Sequence, residues 1–199
     1  MEGNNTITTK EYIEKHIEYV RKHLAIFIAL LRARSIKHDD SKLQEPEFSL
    51  WCKMDEEPRY EYGSDKYIKK MKKHAKVFNL HYKNNRHHPE HFGELGILGM
   101  NLVDIIEMLC DWLGYKEKLS VKEAIDIVDK QMKRYNFSED LSAIIKNTLI
   151  DYFSVLKGFE DESSLFYKMP YDLLKELGFE EITCIKNLKK EGNIVDILA

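Results

Sequence analysis

Apolar residues spaced three and four apart, each run opened by a recognisable start signal, constrain the fold of this chain more than any other feature. Thr8-Thr9-Lys10-Glu11 has the spacing of a capping box, in which a threonine hydroxyl and a glutamate carboxylate satisfy amides left open at a helix start. Behind it Tyr12, Val20, Leu24, Phe27 and Leu31 share one face, and His16 has the same spacing, so the pattern points it toward the interior. Ser41 is an expected N-cap for a helix through Phe48, Leu50 and Trp51, which leaves His38-Asp39 at a helix junction. The stretch from Met54 to Gly63, with Pro58 and clustered charges, reads as a loop. Ser64 caps a helix with inward positions Tyr67, Ile68, Met71, Ala75 and Phe78, and His81 extends that face by one turn.

Further helices are expected from about Asn101, over 121–135 and over 138–156, with Gly158 as a stop. Beyond the acidic run Glu160 to Glu162, a short helix at about 170–177 closes on Gly178. The tail alternates loosely through Ile182, Cys184 and Leu188, then Ile194, Val195 and Ile197, as a small hairpin would. The expected fold is all-α: a helical bundle over 1–157 and a C-terminal extension over 158–199 of α/β or hairpin character.

Size and composition exclude several classes. A chain of 199 residues with 43% hydrophobic residues can bury one main core, and its formal charge of −3 does not suggest a generic nucleic-acid or membrane-surface binder. Cys52, Cys110 and Cys184 form no CxxC pair, which argues against a disulfide framework or a zinc knuckle and fits a reducing cytoplasm. The opening MEGNNTITTK lacks the apolar core of a signal peptide, and no stretch approaches the roughly 20 apolar residues of a membrane span. GxSxG, HExxH and Walker A signatures are absent.

The chemistry-bearing residues form a series instead: His38-Asp39, His81, His87-His88-Pro89-Glu90-His91, then Asp104, Glu107 and Asp111. Neutral imidazoles and carboxylates are the ligands of divalent transition metals. The three acids, three and four residues apart, lie along one helical stripe. Such a stripe is costly to bury unless each charge has a partner, and a metal is a strong partner. Asp39 can bridge two ions while His38, His81, His87 and His88 complete their shells and Asp111 closes the site. Lys42, one turn beyond Asp39, is placed to meet a substrate phosphate. Lys66 to Arg86 carries eight basic residues and no acidic one after Lys66, and where such a face borders a metal site, Lys83 and Arg86 would draw in a phosphorylated substrate.

His38-Asp39-Asp40-Ser41-Lys42 resembles the HD-x-x-K signature of the HD superfamily of metal-dependent phosphohydrolases, and His87-His88-Pro89-Glu90 resembles the paired-histidine element of its dinuclear members. The likeness spans roughly residues 10 to 115. It implies an HD-domain-like helical bundle whose final aspartate is Asp111, in Leu109-Cys110-Asp111-Trp112-Leu113, rather than Asp104. His16 stays outside the ligand set, because an unbroken helix over most of the 22 positions to His38 would hold the two more than roughly 25 Å apart. The strings HDDSKL, YGSDKY, HYKNNRHHPEHF and GMNLVDIIEMLCDW are similar to an uncharacterised family of small phage and bacterial proteins that supplies no established reaction.

The resulting expectation is a cytoplasmic phosphohydrolase. It would use one or two ions of Mn, Fe, Co, Ni or Zn, with Asp39 and Lys42 as catalytic residues and a nucleotide or other small phosphorylated compound as substrate. The competing expectation is a noncatalytic module whose basic helix at 66–86 contacts nucleic acid or an acidic protein. It predicts steep salt dependence and no metal, and the scarcity of aromatics among the lysines argues against single-strand stacking.

Overall fold

The computed structural model describes residues 8–61, 63–114 and 119–160, with side chains as far as residue 155. Among the described residues the chain is all-α: seven α-helices joined by loops and two 3-10 segments, with no strand. The helix expected at 170–177, the terminal hairpin and nearly all of the extension over 158–199 lie outside the described residues. The chain divides into two compact units, Met1–Asp111 and Trp112–Ala199. No helix among the described residues is long and apolar enough to cross a membrane.

In the first unit, α1 (Thr9–Lys37) opens on the expected capping box: the Thr8 amide donates to the Glu11 carboxylate at 2.8 Å and the Glu11 amide donates to the Thr8 hydroxyl at 3.3 Å. It runs unbroken past His16, which rules that histidine out of a site at His38. The expected inward face does not form, since α1 has no buried residue: Tyr12, Val20, Leu24 and Phe27 are exposed, and so is His16. Spacing fixes which side chains share a stripe but not what covers it.

Ser41 does not cap the next helix. Asp40–Leu43 is a 3-10 turn, and α2 (Glu47–Asp55) starts after Pro46, whose ring supplies no capping oxygen. Ser64 does cap α3 (Asp65–Lys73), accepting from the Tyr67 amide at 3.2 Å. The long basic helix is broken at His74, where α4 (Ala75–Asn84) begins. The break changes which residues face inward: Val77 and His81 are buried on α4, Lys70 is buried on α3, and Ile68 and Ala75 are exposed. Lys70 belongs to no solvated face. Its ammonium donates to the carbonyls of Glu57 at 3.0 Å and Pro58 at 3.2 Å, closing the preceding loop.

α2 packs on α4 through Trp51, which meets Phe78 edge-on at 5.4 Å and His81 at 5.8 Å. Pro89–Gly99 is a kinked 3-10 segment rather than an open loop, and its turns at Gly93 (φ 57°) and Gly96 (φ 49°) use a backbone region open mainly to glycine. α5 (Leu102–Leu113) follows, started by Asn101, whose side-chain oxygen accepts from the Asp104 amide at 3.0 Å.

In the second unit, α6 (Val121–Tyr135) matches the expected bounds and is capped by Ser120 with Glu123. α7 (Glu139–Glu160) passes through Gly158, as a helix can at a cost of about 1 kcal/mol relative to alanine. Ala124, Val128, Ile145 and Leu149 are buried on this pair of helices and Phe137 in the turn between them, where it stacks on Trp112 and Tyr135 at 6.2 Å each.

Candidate metal centre

The centre lies within the first unit and begins where α1 stops. His38 leaves the helix at φ −55°, ψ 121°, and Asp39 turns into the left-handed region at φ 60°, ψ 11°. A short carboxylate residue tolerates that conformation better than most. On a continuing helix two adjacent side chains would diverge by about 100°; the reversal lets His38 and Asp39 face one point. The 3-10 turn then brings Lys42 back over Asp39, with its ammonium 2.6 Å from Asp39 Oδ2 and 5.3 Å from the Trp51 ring.

α4 contributes His81 near its C-terminus. Asn85, buried just past it, donates to the Ser41 hydroxyl at 2.7 Å and to the His81 carbonyl at 2.9 Å, tying the turn after α1 to the end of α4. This anchors the extended stretch in which His87 and His88 follow. α5 completes the site from the other side with Glu107 and Asp111.

Two overlapping donor groups result. Asp39, His81, His87 and His88 form one, and His38, Asp39, His87 and Asp111 the other; within each, the candidate ligand atoms lie within 4.8 Å of one another. Asp39 Oδ1 is 3.3 Å from His81 Nε2 and 3.6 Å from His87 Nε2, while Oδ2 is 3.5 Å from His38 Nε2. His38 Nε2 is 3.6 Å from Asp111 Oδ1, and the Nε2 atoms of His81 and His88 face each other at 2.9 Å.

The far sides of the rings explain why Nε2 points inward. Glu47 accepts from His81 Nδ1 at 2.7 Å, and Glu107 accepts from His38 Nδ1 at 3.1 Å and lies 3.2 Å from His87 Nδ1. A carboxylate only accepts, so Nδ1 of His81 and of His38 carries the proton and, in the neutral ring, Nε2 keeps its lone pair for the centre. Outer carboxylates of this kind fix ligand histidines in metal sites.

The electrostatics favour a cation. Asp111 and then Glu107 raise His38 to about 10, against the pull of burial. Burial would raise Asp39, but the Lys42 ammonium outweighs it and holds the carboxyl below its ordinary range. For Glu107 burial is likewise outweighed, by His38 and His87, leaving it at about 2. Burial pushes His81 down, and burial with the neighbouring His87 and His81 takes His88 to about 3, so both imidazoles are neutral at neutral pH, the form in which histidine binds metal.

Of the residues expected from sequence, His38, Asp39, His81, His87, His88 and Asp111 converge, and Lys42 stands at their edge, 38% exposed. Arg86 does not join them as a substrate group. Its guanidinium donates to both Asp104 oxygens, at 3.2 and 2.9 Å, and stacks on Phe92. Lys83 is exposed, about 200° around α4 from His81, and so turns away from the centre. His91 is bonded to the Tyr82 carbonyl at 2.9 Å. Asp104, wholly buried, is held by Arg34 and Arg86. Sequence reasoning missed Glu47, which lies 34 positions before His81; its one local signal is Trp51 at i+4, whose indole donates to it at 3.1 Å.

The donor set fits a divalent transition ion on its own geometry. Asp39 Oδ1 and both ring nitrogens of His87 are buried and lack a hydrogen-bond partner among the described residues, although each such atom ordinarily costs about 1–3 kcal/mol to leave unsatisfied. A cation between Asp39 Oδ1 and His87 Nε2 would satisfy these two.

Residues 5–151 match a family described as of unknown function (DUF5662). The chain belongs to that family. No curated protein and no solved structure matches it. Membership agrees with the likeness of the four sequence strings to an uncharacterised family, and all the converging residues lie inside the matched span.

Proposed function

We propose that this member of the family is a metal-dependent phosphohydrolase of HD type, acting on a nucleotide or another small phosphorylated compound. The observation that carries the reading is the sharing of Asp39 and His87 between two donor groups drawn from four separate stretches of chain. An ion of Mn, Fe, Co, Ni or Zn held there supplies Lewis acidity and lowers the pKa of its water toward neutrality.

The chain's own residues do the rest. His38 and Asp111 would serve one position and His81 and His88 the other, with Asp39 and His87 common to both donor groups and the two oxygens of Asp39 turned to different sides. Lys42 presents a point charge at the exposed edge, where a phosphate oxygen would arrive, and its contact with Asp39 and the Trp51 face keeps the ammonium from drifting. Burial of His81 and His87 keeps bulk water off the inner side.

Metal analysis of untagged protein purified without chelator, followed by a phosphate-release screen across nucleotides with added Mn²⁺, tests the reading. Asp39→Asn should lose bound metal and turnover while keeping the helical circular dichroism of the wild type. Full phosphate release by that variant would refute the assignment.

A further inference from the structure

We propose that Glu47 and Glu107 are positioning residues that each govern one of two chemically unequal ion positions. The inference rests on the metal-centre reading and goes beyond it by separating the positions.

Glu47 is 1% exposed and fully engaged: Oε1 accepts from His81 Nδ1 at 2.7 Å and from the Trp51 indole at 3.1 Å, and Oε2 accepts from the Asn84 amide at 3.2 Å. Among the candidate ligands it touches His81. Glu107 accepts from His38 Nδ1 with Oε1 and from Arg34 with Oε2 at 3.0 Å, and lies beside His87 Nδ1. Each glutamate thus reaches an imidazole private to one donor group: His81 in the group with His88, and His38 in the group with Asp111.

The shared residues keep the positions apart. His87 offers one inward nitrogen with one lone pair, so it serves one ion at a time. Asp39 turns Oδ1 toward His81 and His87 and Oδ2 toward His38. The position at His81 and His88 is therefore rich in imidazole and favours Zn, Fe, Co or Ni, while the one at Asp111 is richer in carboxylate and accepts Mn more readily. Loss of an outer partner typically weakens metal binding 10–100-fold. Glu107 also lies beside the shared His87, but the private ligands His81 and His38 meet different glutamates, so the main losses should fall on different ions.

The test titrates the metal-free full chain with Co²⁺, reading stoichiometry by elemental analysis and ligand field by visible absorption. Two equivalents are expected for the wild type. Glu47→Gln should weaken one of them about 10–100-fold, the same one that His81→Gln removes, and Glu107→Gln the one that His38→Gln removes. Since Glu47 is buried, Glu47→Asp serves as the variant that keeps the charge, weakening the same equivalent by less; helical circular dichroism accompanies each titration. Unchanged affinity in both Glu47 variants, weakening of the same equivalent by Glu47→Gln and Glu107→Gln, or a single equivalent in the wild type would overturn the inference. Absence of any Co²⁺ uptake by the wild type would instead remove the metal-centre reading beneath it.

Discussion

Asp104 and Asp111 lie seven residues apart on one stripe of α5, yet their surroundings assign them opposite work, and replacing each by alanine should separate stability from metal binding. Asp104 is wholly buried and accepts from Arg34 at 2.7 Å, from two nitrogens of Arg86 at 3.2 and 2.9 Å, and from the Asn101 amide at 3.0 Å. Burial alone would raise its pKa, but Arg86 and the Asn101 amide outweigh it, so the carboxyl is ionised. Removing one partner of a buried pair costs about 3–5 kcal/mol. Arg34 and Arg86 keep 28% and 42% of their side-chain surface in water and can rehydrate, which places Asp104→Ala at the lower end, about 3 kcal/mol. Asp111 is 31% exposed and meets His38 at 3.6 Å, so Asp111→Ala should cost about 1 kcal/mol or less. Metal content should run the other way, kept in Asp104→Ala and reduced in Asp111→Ala. Urea unfolding followed by tryptophan emission in a Trp112→Phe background reports on Trp51 and hence on the unit Met1–Asp111. A loss below about 1 kcal/mol in Asp104→Ala, or an equal loss in Asp111→Ala, would refute the division.

Two further outcomes follow from the same unit. Lys70→Met should lose about 2 kcal/mol in urea unfolding, because two loop carbonyls lose their donor, whereas exposed Lys69→Met should stay within about 0.5 kcal/mol. Glu57 is drawn down to about 2 by Lys73 and His74. A depressed carboxyl contributes stability that is fully present above its ordinary value of 4.5 and is lost as pH falls toward 2. The gap in urea midpoint between wild type and Glu57→Gln should hold at pH 6 and narrow between pH 4.5 and 2, and a constant gap would contradict the ion-pair assignment.

Local signals were readable in the sequence and long-range ones were not. Thr8 and Ser64 cap their helices as expected because a cap involves residues three apart, and the acid stripe of α5 is a matter of helical spacing alone. His38, Asp39, His87, His88 and Asp111 were legible as candidate donors because adjacent histidines and acids are the residue types that hold divalent transition metals. The break at His74 left no mark, since neither glycine nor proline stands near it. Nor does the run of lysines show that Lys70 is buried, since its partners are the loop carbonyls of Glu57 and Pro58. Charge alone marks Lys83 and Arg86 as substrate groups. Charge does not say that one turns to solvent and the other is spent on Asp104. Glu47 escaped notice because its role depends on a ring 34 positions away, and a carboxylate in the first turn of a helix has an ordinary explanation in the helix dipole.

The stripe on α5 also shows how one helix serves scaffold and site together. Exposure rises along it, from Asp104 at 0% through Glu107 at 9% to Asp111 at 31%, while the partner of each charge becomes less permanent. Two guanidiniums hold Asp104; Arg34 and His38 share Glu107; His38 is the counter-charge at Asp111. A carboxylate locked by arginine cannot exchange its partner for an ion without leaving a buried cation unpaired, whereas one facing an imidazole can, because the ring gives up its proton as the ion arrives. Glu107 stands between the two regimes. It accepts from Arg34 with one oxygen and faces the imidazoles of His38 and His87 with the other, so one carboxylate is anchored on the scaffold side and orients His38 at the proposed metal centre.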